Sequence, residues 1–211
     1  MSQTLSYNIC IKVALLSGLG SLTLGACQNN SNASETVEKQ NFIAVGNSAV
    51  PTHHASIFLA FENLDGTAER YMRASQLLER MGARPMNQEI DKAQHWYSLA
   101  VSLDAQITEK YPPFRGRVKG PAYREHKLGA GQSDTIHEVY YAAEAAILSV
   151  KTRQGLVRLE VEAKGKEKSV CQIMADNNAA SCNWTPIYTT PYEITLTNMS
   201  GEDISYVLMS N

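Results

Sequence analysis

Apolar residues recur at helical spacing in the first half of the chain. Over residues 64–81 and again over residues 90–111 they return every three or four positions, which places them on one face of a helix. Asp65 is the expected N-cap of the first helix and Asn87 that of the second, which ends at Pro112. Because the linker between the two helices is short, we predict an antiparallel helical hairpin.

The segment SIFLAF, residues 56–61, precedes this hairpin and is apolar apart from its serine. A short run without polar positions has no readable period, so a helical turn and a strand both remain open for it. Together with this segment, the predicted helical hairpin takes up residues 51–113.

Alternation with a period of two begins after residue 114. Residues 156–163 carry Leu or Val on one face and Arg or Glu on the other, and further runs follow at intervals of about 8–12 residues. The predicted strands are residues 135–141, 146–150, 156–163, 169–174, 192–197 and 204–209. Short strands at this spacing are typical of an antiparallel β-sandwich. We therefore expect an α+β fold, with the helical hairpin followed by a sandwich over residues 114–211 that opens with an extended connector, residues 114–128.

The closing strands resemble a known family. Residues 192–198 read YEITLTN and residues 206–208 read YVL, with a polar turn between them. In these motifs, and over residues 125–211 as a whole, the chain resembles the bacterial pre-peptidase C-terminal (PPC) β-sandwich. The resemblance implies a jelly-roll-like accessory domain, of a kind often attached to secreted hydrolases, and it implies no catalytic site.

Some members of that family have an Asp-rich loop that holds calcium. The corresponding loop here offers Asp176, Asn177 and Asn178, of which only one is charged. Calcium takes six to eight oxygen ligands, several of them carboxylates. We therefore expect no metal in this loop and no cofactor elsewhere.

The start of the sequence has the pattern of an export signal. A polar stretch with a single charge, Lys12, leads into fourteen largely apolar residues that end just before Cys27. That run is too short to span a bilayer as a helix, and it fits a secretory signal peptide. The residues Leu24-Gly25-Ala26-Cys27 resemble the bacterial lipobox, which implies that residues 1–26 are removed and that Cys27 carries lipid.

The residue after the cysteine bears on the membrane to which such a lipoprotein is sent. Gln28, in place of Asp, resembles lipoproteins that are sent to the outer membrane of Gram-negative bacteria. Several acyl chains together anchor a protein firmly. We therefore expect a lipid-anchored outer-membrane protein, on either the periplasmic or the outer face, with residues 27–50 as lipidated cysteine and flexible tether.

This location assigns a role to each of the four cysteines. Cys10 leaves with the signal peptide and Cys27 carries the lipid, so Cys171 and Cys182 remain as an even pair in an oxidising compartment. A structural disulfide between them is expected, across a segment that has the composition of a hairpin loop.

The charge balance excludes one class of partner. Nineteen Lys and Arg against twenty-one Asp and Glu leave a net charge of -2, which gives no pull toward nucleic acid. Five basic side chains nevertheless fall within thirteen residues: Arg115, Arg117, Lys119, Arg124 and Lys127. With Phe114 and Tyr123 interleaved, this stretch is either a patch for an anionic partner or a solvated connector whose charges pair with acids such as Glu125.

The sequence lacks the common catalytic motifs: a Gly-x-Ser-x-Gly elbow, a His-Glu-x-x-His pair and a phosphate-binding glycine loop. His53 and His54 are neighbours whose side chains point apart, so they make a poor chelate. His126 and His137 lie near the start of the sandwich and would have to converge with a carboxylate in a deep pocket to support acid–base chemistry. Trp184 is either a core residue or a platform for sugar stacking.

These features predict a membrane-anchored envelope lipoprotein that acts as a non-catalytic binding or accessory/assembly module. Its expected partners are the membrane, through the N-terminal lipid, and an envelope protein or surface polymer. Two alternatives stay open. One is a periplasmic hydrolase or hydrolase inhibitor with an unidentified site, and the other is a structural subunit of an envelope assembly.

Overall fold

Both the helical and the alternating segments of the sequence form regular structure. The structure, a computed structural model, describes residues 45–87, 89–104, 120–165 and 169–211, with side chains described from residue 49 onward. The helices are α1 (Thr52–Glu62), α2 (Ala68–Arg80) and α3 (Lys92–Leu103). The strands are β1 (Val45–Ser48), β2 (Arg84–Pro85), β3 (Ala122–Leu128), β4 (Ser133–Tyr140), β5 (Ala146–Thr152), β6 (Val157–Ala163), β7 (Ser169–Ala175), β8 (Ala180–Trp184), β9 (Thr190–Asn198) and β10 (Ile204–Ser210).

These strands form two sheets. One has six strands in the order β1-β8-β5-β10-β3-β2, and the other has four in the order β4-β9-β6-β7. Neighbouring strands are antiparallel except for β2, which runs parallel to β3. The predicted α+β fold with an antiparallel β-sandwich is confirmed.

The space between the sheets is filled by every second residue of the facing strands. Along β6, buried and half-buried residues alternate without exception, as expected for a strand with one face in the core. The ring of Trp184 lies 4.9 Å from Tyr140 and 5.6 Å from Tyr192, measured between centroids, and all three are buried in this core. Of the two roles considered for Trp184, the structure therefore assigns the core one.

The helices cover the other face of the six-stranded sheet. Tyr123 of β3 and Val207 and Met209 of β10 point to that side and are buried there with Phe61 of α1. The centroid of the Phe61 ring lies 4.9 Å from Trp96 of α3 and 5.6 Å from Tyr123. The fold therefore has three layers: the helices, the six-stranded sheet and the four-stranded sheet. The middle layer packs on both faces.

The predicted helices α2 and α3 form and pack against each other, but both N-caps are displaced. Thr67 caps α2 in place of Asp65, because its hydroxyl accepts a backbone hydrogen bond from the first turn while Asp65 in turn accepts from Thr67. Asp91 caps α3 in place of Asn87, and its carboxylate accepts from two backbone N–H groups at 3.0 and 3.5 Å. Asn87 instead has a left-handed backbone with φ of 50°.

The open question about residues 56–61 is resolved, since they belong to α1. The buried side of this helix recurs at helical spacing, through His54, Ile57, Phe58 and Phe61. Helix α3 ends at Leu103, and the predicted continuation of that helix to residue 111 and Pro112 lies outside the described residues.

The sequence pattern does not predict four strands of the six-stranded sheet. Strand β1 lies within residues 27–50, so the expected flexible tether is wrong over Val45–Ser48, and β2 lies in the expected linker between the two helices. Strand β3 occupies much of the expected connector. Its charged residues made this segment look solvent-exposed in the sequence, but in the structure they form ion pairs with neighbouring elements. Strand β8 occupies the end of the expected hairpin loop and consists largely of small residues. The hairpin-loop prediction is wrong, since β7 and β8 lie in different sheets and the chain crosses between them at residues 176–179.

The expected disulfide between Cys171 and Cys182 is present, with the two Cα atoms 6.1 Å apart. Cys171 lies on β7 and Cys182 on β8. The bond therefore joins the four-stranded sheet to the six-stranded sheet across the core, where the sequence suggested a link between two arms of one hairpin.

Candidate functional site

A histidine and two serines form a buried chain of hydrogen bonds where α1 lies on the six-stranded sheet. His54 Nδ1 is 2.8 Å from Ser149 Oγ on β5, and that oxygen is 2.9 Å from Ser181 Oγ on β8. Ser181 also donates to the carbonyl of Leu148 at 3.0 Å. The contact arises because Ser149 and Ser181 are register partners on adjacent strands.

A base within hydrogen-bond distance of a hydroxyl is the arrangement that activates a serine nucleophile. Here all three side chains are completely buried, so the Ser149 hydroxyl is out of reach of a substrate. Burial lowers the pKa of His54 to about 4, and the neighbouring His53 acts in the same direction. The imidazole is therefore neutral near pH 7, and the cluster serves to connect α1 to two strands.

The two histidines considered for acid–base chemistry have separate surroundings. His126 lies on β3 with its ring centroid 6.3 Å from that of Tyr206. His137 lies on β4 with its Nε2 atom 3.5 Å from a carboxylate oxygen of Glu193, and both of these side chains are exposed. Because the two histidines belong to different sheets and contact different partners, the structure does not bring them together at one carboxylate.

Arg124 bridges the two sheets. Its guanidinium contacts the carboxylate of Asp134 on β4 at 2.9 Å and that of Glu89 at 3.5 Å. Tyr206 donates a hydrogen bond to the same Asp134 carboxylate. Burial, followed by this hydrogen bond, raises the pKa of Tyr206 far above its ordinary value, so the phenol keeps its proton. The paired arginine and the protonated phenol form a structural link between the sheets.

The basic patch expected from the sequence is only partly described. Arg115, Arg117 and Lys119 lie outside the described residues. Arg124 is engaged in the bridge between the sheets, whereas Lys127 is exposed. Because residues three apart on a strand point to opposite faces, these two side chains do not form one surface. The patch as a whole stays a prediction.

The crossing loop after β7 and a crevice beside α1 both offer little to a ligand. In the loop, the Asp176 carboxylate accepts the backbone N–H of Asn178 at 2.7 Å. Within the part of the chain that the structure describes, no group of three or more His, Cys, Asp or Glu is arranged to hold a metal ion. The crevice is lined by Phe58, Lys151 and Arg153 among others, and it leaves about 10 Å³ of free space, room for about one water molecule.

Two loops at one end of the sandwich, residues 141–145 and 185–189, expose large apolar side chains. Tyr188 is 74% exposed and Tyr141 is 60% exposed. We call this surface the loop end, and its exposed apolar side chains are Val139, Tyr141, Ile187 and Tyr188. Apolar side chains gathered in this way on a surface mark an interaction site more often than single ones do.

The loop end is held in shape by bonds between its two loops. The backbone N–H of Ala143 donates to the carbonyl of Pro186 at 2.8 Å, and that of Ala142 donates to the Thr189 hydroxyl at 3.0 Å. Ala143 has a φ of 62°, a left-handed conformation that is uncommon for residues other than glycine. Such a conformation persists where the surrounding bonds enforce it, so the exposed tyrosines stand on a well-defined support.

Comparisons with known proteins find solved structures of low sequence identity. No protein-family model matches the chain, and no curated protein matches it. Similar solved structures include the PPC domain of a collagenase from Bacillus anthracis, at 15% identity over 42% of this chain and 87% of that one, with a TM-score of 0.38. They also include PliG, a periplasmic inhibitor of g-type lysozyme. The Aeromonas hydrophila protein has 15% identity over 43% of this chain and 84% of its own, with a TM-score of 0.35. The Salmonella Typhimurium protein has 9% identity over 43% and 87%, with a TM-score of 0.31.

None of the described helices combines the length and the apolar character needed to cross a membrane.

Proposed function

We propose that this chain is a lipid-anchored lipoprotein of the Gram-negative outer membrane and that it acts as a non-catalytic binding or accessory module. The anchor is Cys27, on the strength of the lipobox-like residues before it. The observation that carries the binding role is the loop end, where exposed Tyr141, Ile187 and Tyr188 stand on two mutually bonded loops. The loop end is accordingly the surface through which the protein contacts another component of the envelope.

Two features of the described residues favour binding over hydrolysis. One serine–histidine contact among them, that of Ser149 with His54, has the geometry of an activated nucleophile. Both residues are completely buried between α1 and the sheet. The surface histidines His126 and His137 lie on separate sheets. A hydrolase needs its nucleophile and base to meet in a pocket that admits substrate, and neither arrangement supports this.

The anchor is tested by replacing the lipid-bearing cysteine. We expect Cys27→Ser to move the protein from the membrane fraction to the soluble fraction of the cell, because the acyl chains are lost. Cys10→Ser is the matched control, since that cysteine leaves with the signal peptide, and it should fractionate like the unaltered protein. Retention of the Cys27→Ser variant in the membrane would contradict the proposed anchor.

The binding surface is tested by photo-crosslinking in intact cells. A photo-reactive amino acid at Tyr188 is expected to give a covalent adduct with an envelope component, whereas one at Met199, which is exposed at the opposite end of the sandwich, is expected to give none. Adducts of equal yield at both positions, or at neither, would argue against the loop end as the contact surface. A covalent dimer of this chain would instead favour the structural-subunit alternative.

A further inference from the structure

We infer that the component met by the loop end is the membrane itself, so that Tyr141, Ile187 and Tyr188 lie at the headgroup boundary of the bilayer in which the lipid of Cys27 is inserted. This inference rests on the proposed anchor. It adds to the proposed function that the sandwich is oriented with its loop end toward the membrane and that the loop end contacts lipid.

The direction of β1 is the first argument. Strand β1 pairs antiparallel with β8, with Val45 opposite Asn183 and Ser48 opposite Ser181. Strand β8 ends at Trp184, and the loop that carries Ile187 and Tyr188 follows directly. The chain that comes from Cys27 therefore joins the sandwich at the loop end, and β1 then runs away from it.

The length of the connecting segment is the second argument. Val45 lies eighteen residues after Cys27, and a chain of that length spans at most about 60 Å when fully extended. The sandwich is about 30 Å long, judged from the nine residues of β9. If the loop end faces the membrane, the connecting segment does not need to run along the sandwich. If the opposite end faces the membrane, the segment must first run the length of the sandwich, which takes about half of its maximum span.

The chemistry of the two ends is the third argument. Tyrosine favours the membrane–water boundary because its ring is apolar and its hydroxyl is polar, and isoleucine adds apolar area. Charge does not distinguish the two ends, because the loop end exposes Glu144 and the opposite end exposes Arg153 beside Glu202 and Asp203. The two exposed tyrosines therefore favour the loop end as the face toward the lipid.

The test uses the full-length lipidated protein in vesicles of phosphatidylethanolamine and phosphatidylglycerol, with or without bromine on the acyl chains. Bromine quenches tryptophan that reaches the boundary of the acyl region. The chain's own Trp96 and Trp184 are buried and give a background that is subtracted. We expect Tyr188→Trp to lose most of its added emission in brominated vesicles. Met199→Trp, the matched control at the opposite end, should keep its added emission.

Flotation of the vesicles separates this inference from the proposed anchor. If the protein does not float with the vesicles, the anchor is wrong and the inference falls with it. If it floats, and Tyr188→Trp is either unquenched or quenched no more than Met199→Trp, the anchor stands and the inference is overturned. Tyr141→Trp gives an independent reading on the second loop and is expected to behave like Tyr188→Trp. A protein adduct at Tyr188 together with unquenched emission would assign the loop end to a protein partner instead.

Discussion

Replacing Phe61 by alanine is expected to lower the free energy of unfolding by about 3–5 kcal/mol, the usual cost of truncating a buried phenylalanine. Phe61 is 1% exposed and touches the rings of Trp96 and Tyr123, so it links α1 to α3 and to the six-stranded sheet at once. Its removal leaves a cavity at the junction between the helical layer and the sandwich. We therefore expect the substitution to destabilise both layers, which should still unfold together in a single transition.

Urea unfolding, followed by far-UV circular dichroism and by tryptophan fluorescence, checks this expectation. Trp96 reports on the helical layer and Trp184 on the core between the sheets. Leu59→Ala is the matched control, because Leu59 lies on the same helix but is 53% exposed, and it should change stability by no more than about 0.5 kcal/mol. If the helices unfold first and the sandwich keeps its original midpoint, the layers are not coupled as described.

Acid is expected to destabilise the fold through His54. The folded-state pKa of about 4 lies below the ordinary value of 6.5, because burial disfavours the charged imidazole. Above pH 6.5 the residue is neutral in both states and has no effect on stability. As the pH falls toward 4, the unfolded chain takes up a proton that the folded chain does not, so stability declines. The gap between the two values corresponds to a loss on the order of 3 kcal/mol.

The measurement is the free energy of unfolding at several pH values between 7 and 4. His54→Gln should flatten the decline over this range, whatever its effect on stability at pH 7, because the titrating group is gone. His53→Gln is the matched control on the neighbouring residue and should keep most of the decline, because burial, the larger cause of the low pKa of His54, is unchanged. A decline in His54→Gln as steep as that of the unaltered protein would show that other groups cause it.

The sequence predicts those elements of the fold whose two faces differ. Helix α2 and strand β6 each bury one face and expose the other, so their periods are readable. Strand β3 is hidden because it lies between two layers and carries charges that only the folded neighbours satisfy. Examples are Arg124 with Asp134 and Glu125 with Lys92 at 2.8 Å. Hydropathy alone does not distinguish such paired charges from the solvated charges of a connector.

The parts of the site that the sequence did not predict depend on contacts between distant segments. His53 and His54 differ only in their position around the axis of α1. The sequence pattern left the segment that follows them, residues 56–61, undecided between helix and strand. Ser149 stands out as a polar residue inside an apolar run, but its partner Ser181 is known only once β5 and β8 are paired. The disulfide partners were predictable from the cysteine count, whereas the sheets they join were not. Tyr141 and Tyr188 lie at the same end of the sandwich because two loops far apart in sequence bond to each other.

The antiparallel attachment of β1 determines how the body bears mechanical load. Tension in the chain ahead of Val45 pulls along the axis of β1, toward the loop end, while the rest of the sandwich resists through β8. The hydrogen bonds between these two strands are then strained together in shear, whereas a pull across the strands would open them one after another. A short edge strand in this geometry resists detachment better than its length suggests, and it transmits force from the preceding chain to β8, which carries Cys182 of the disulfide.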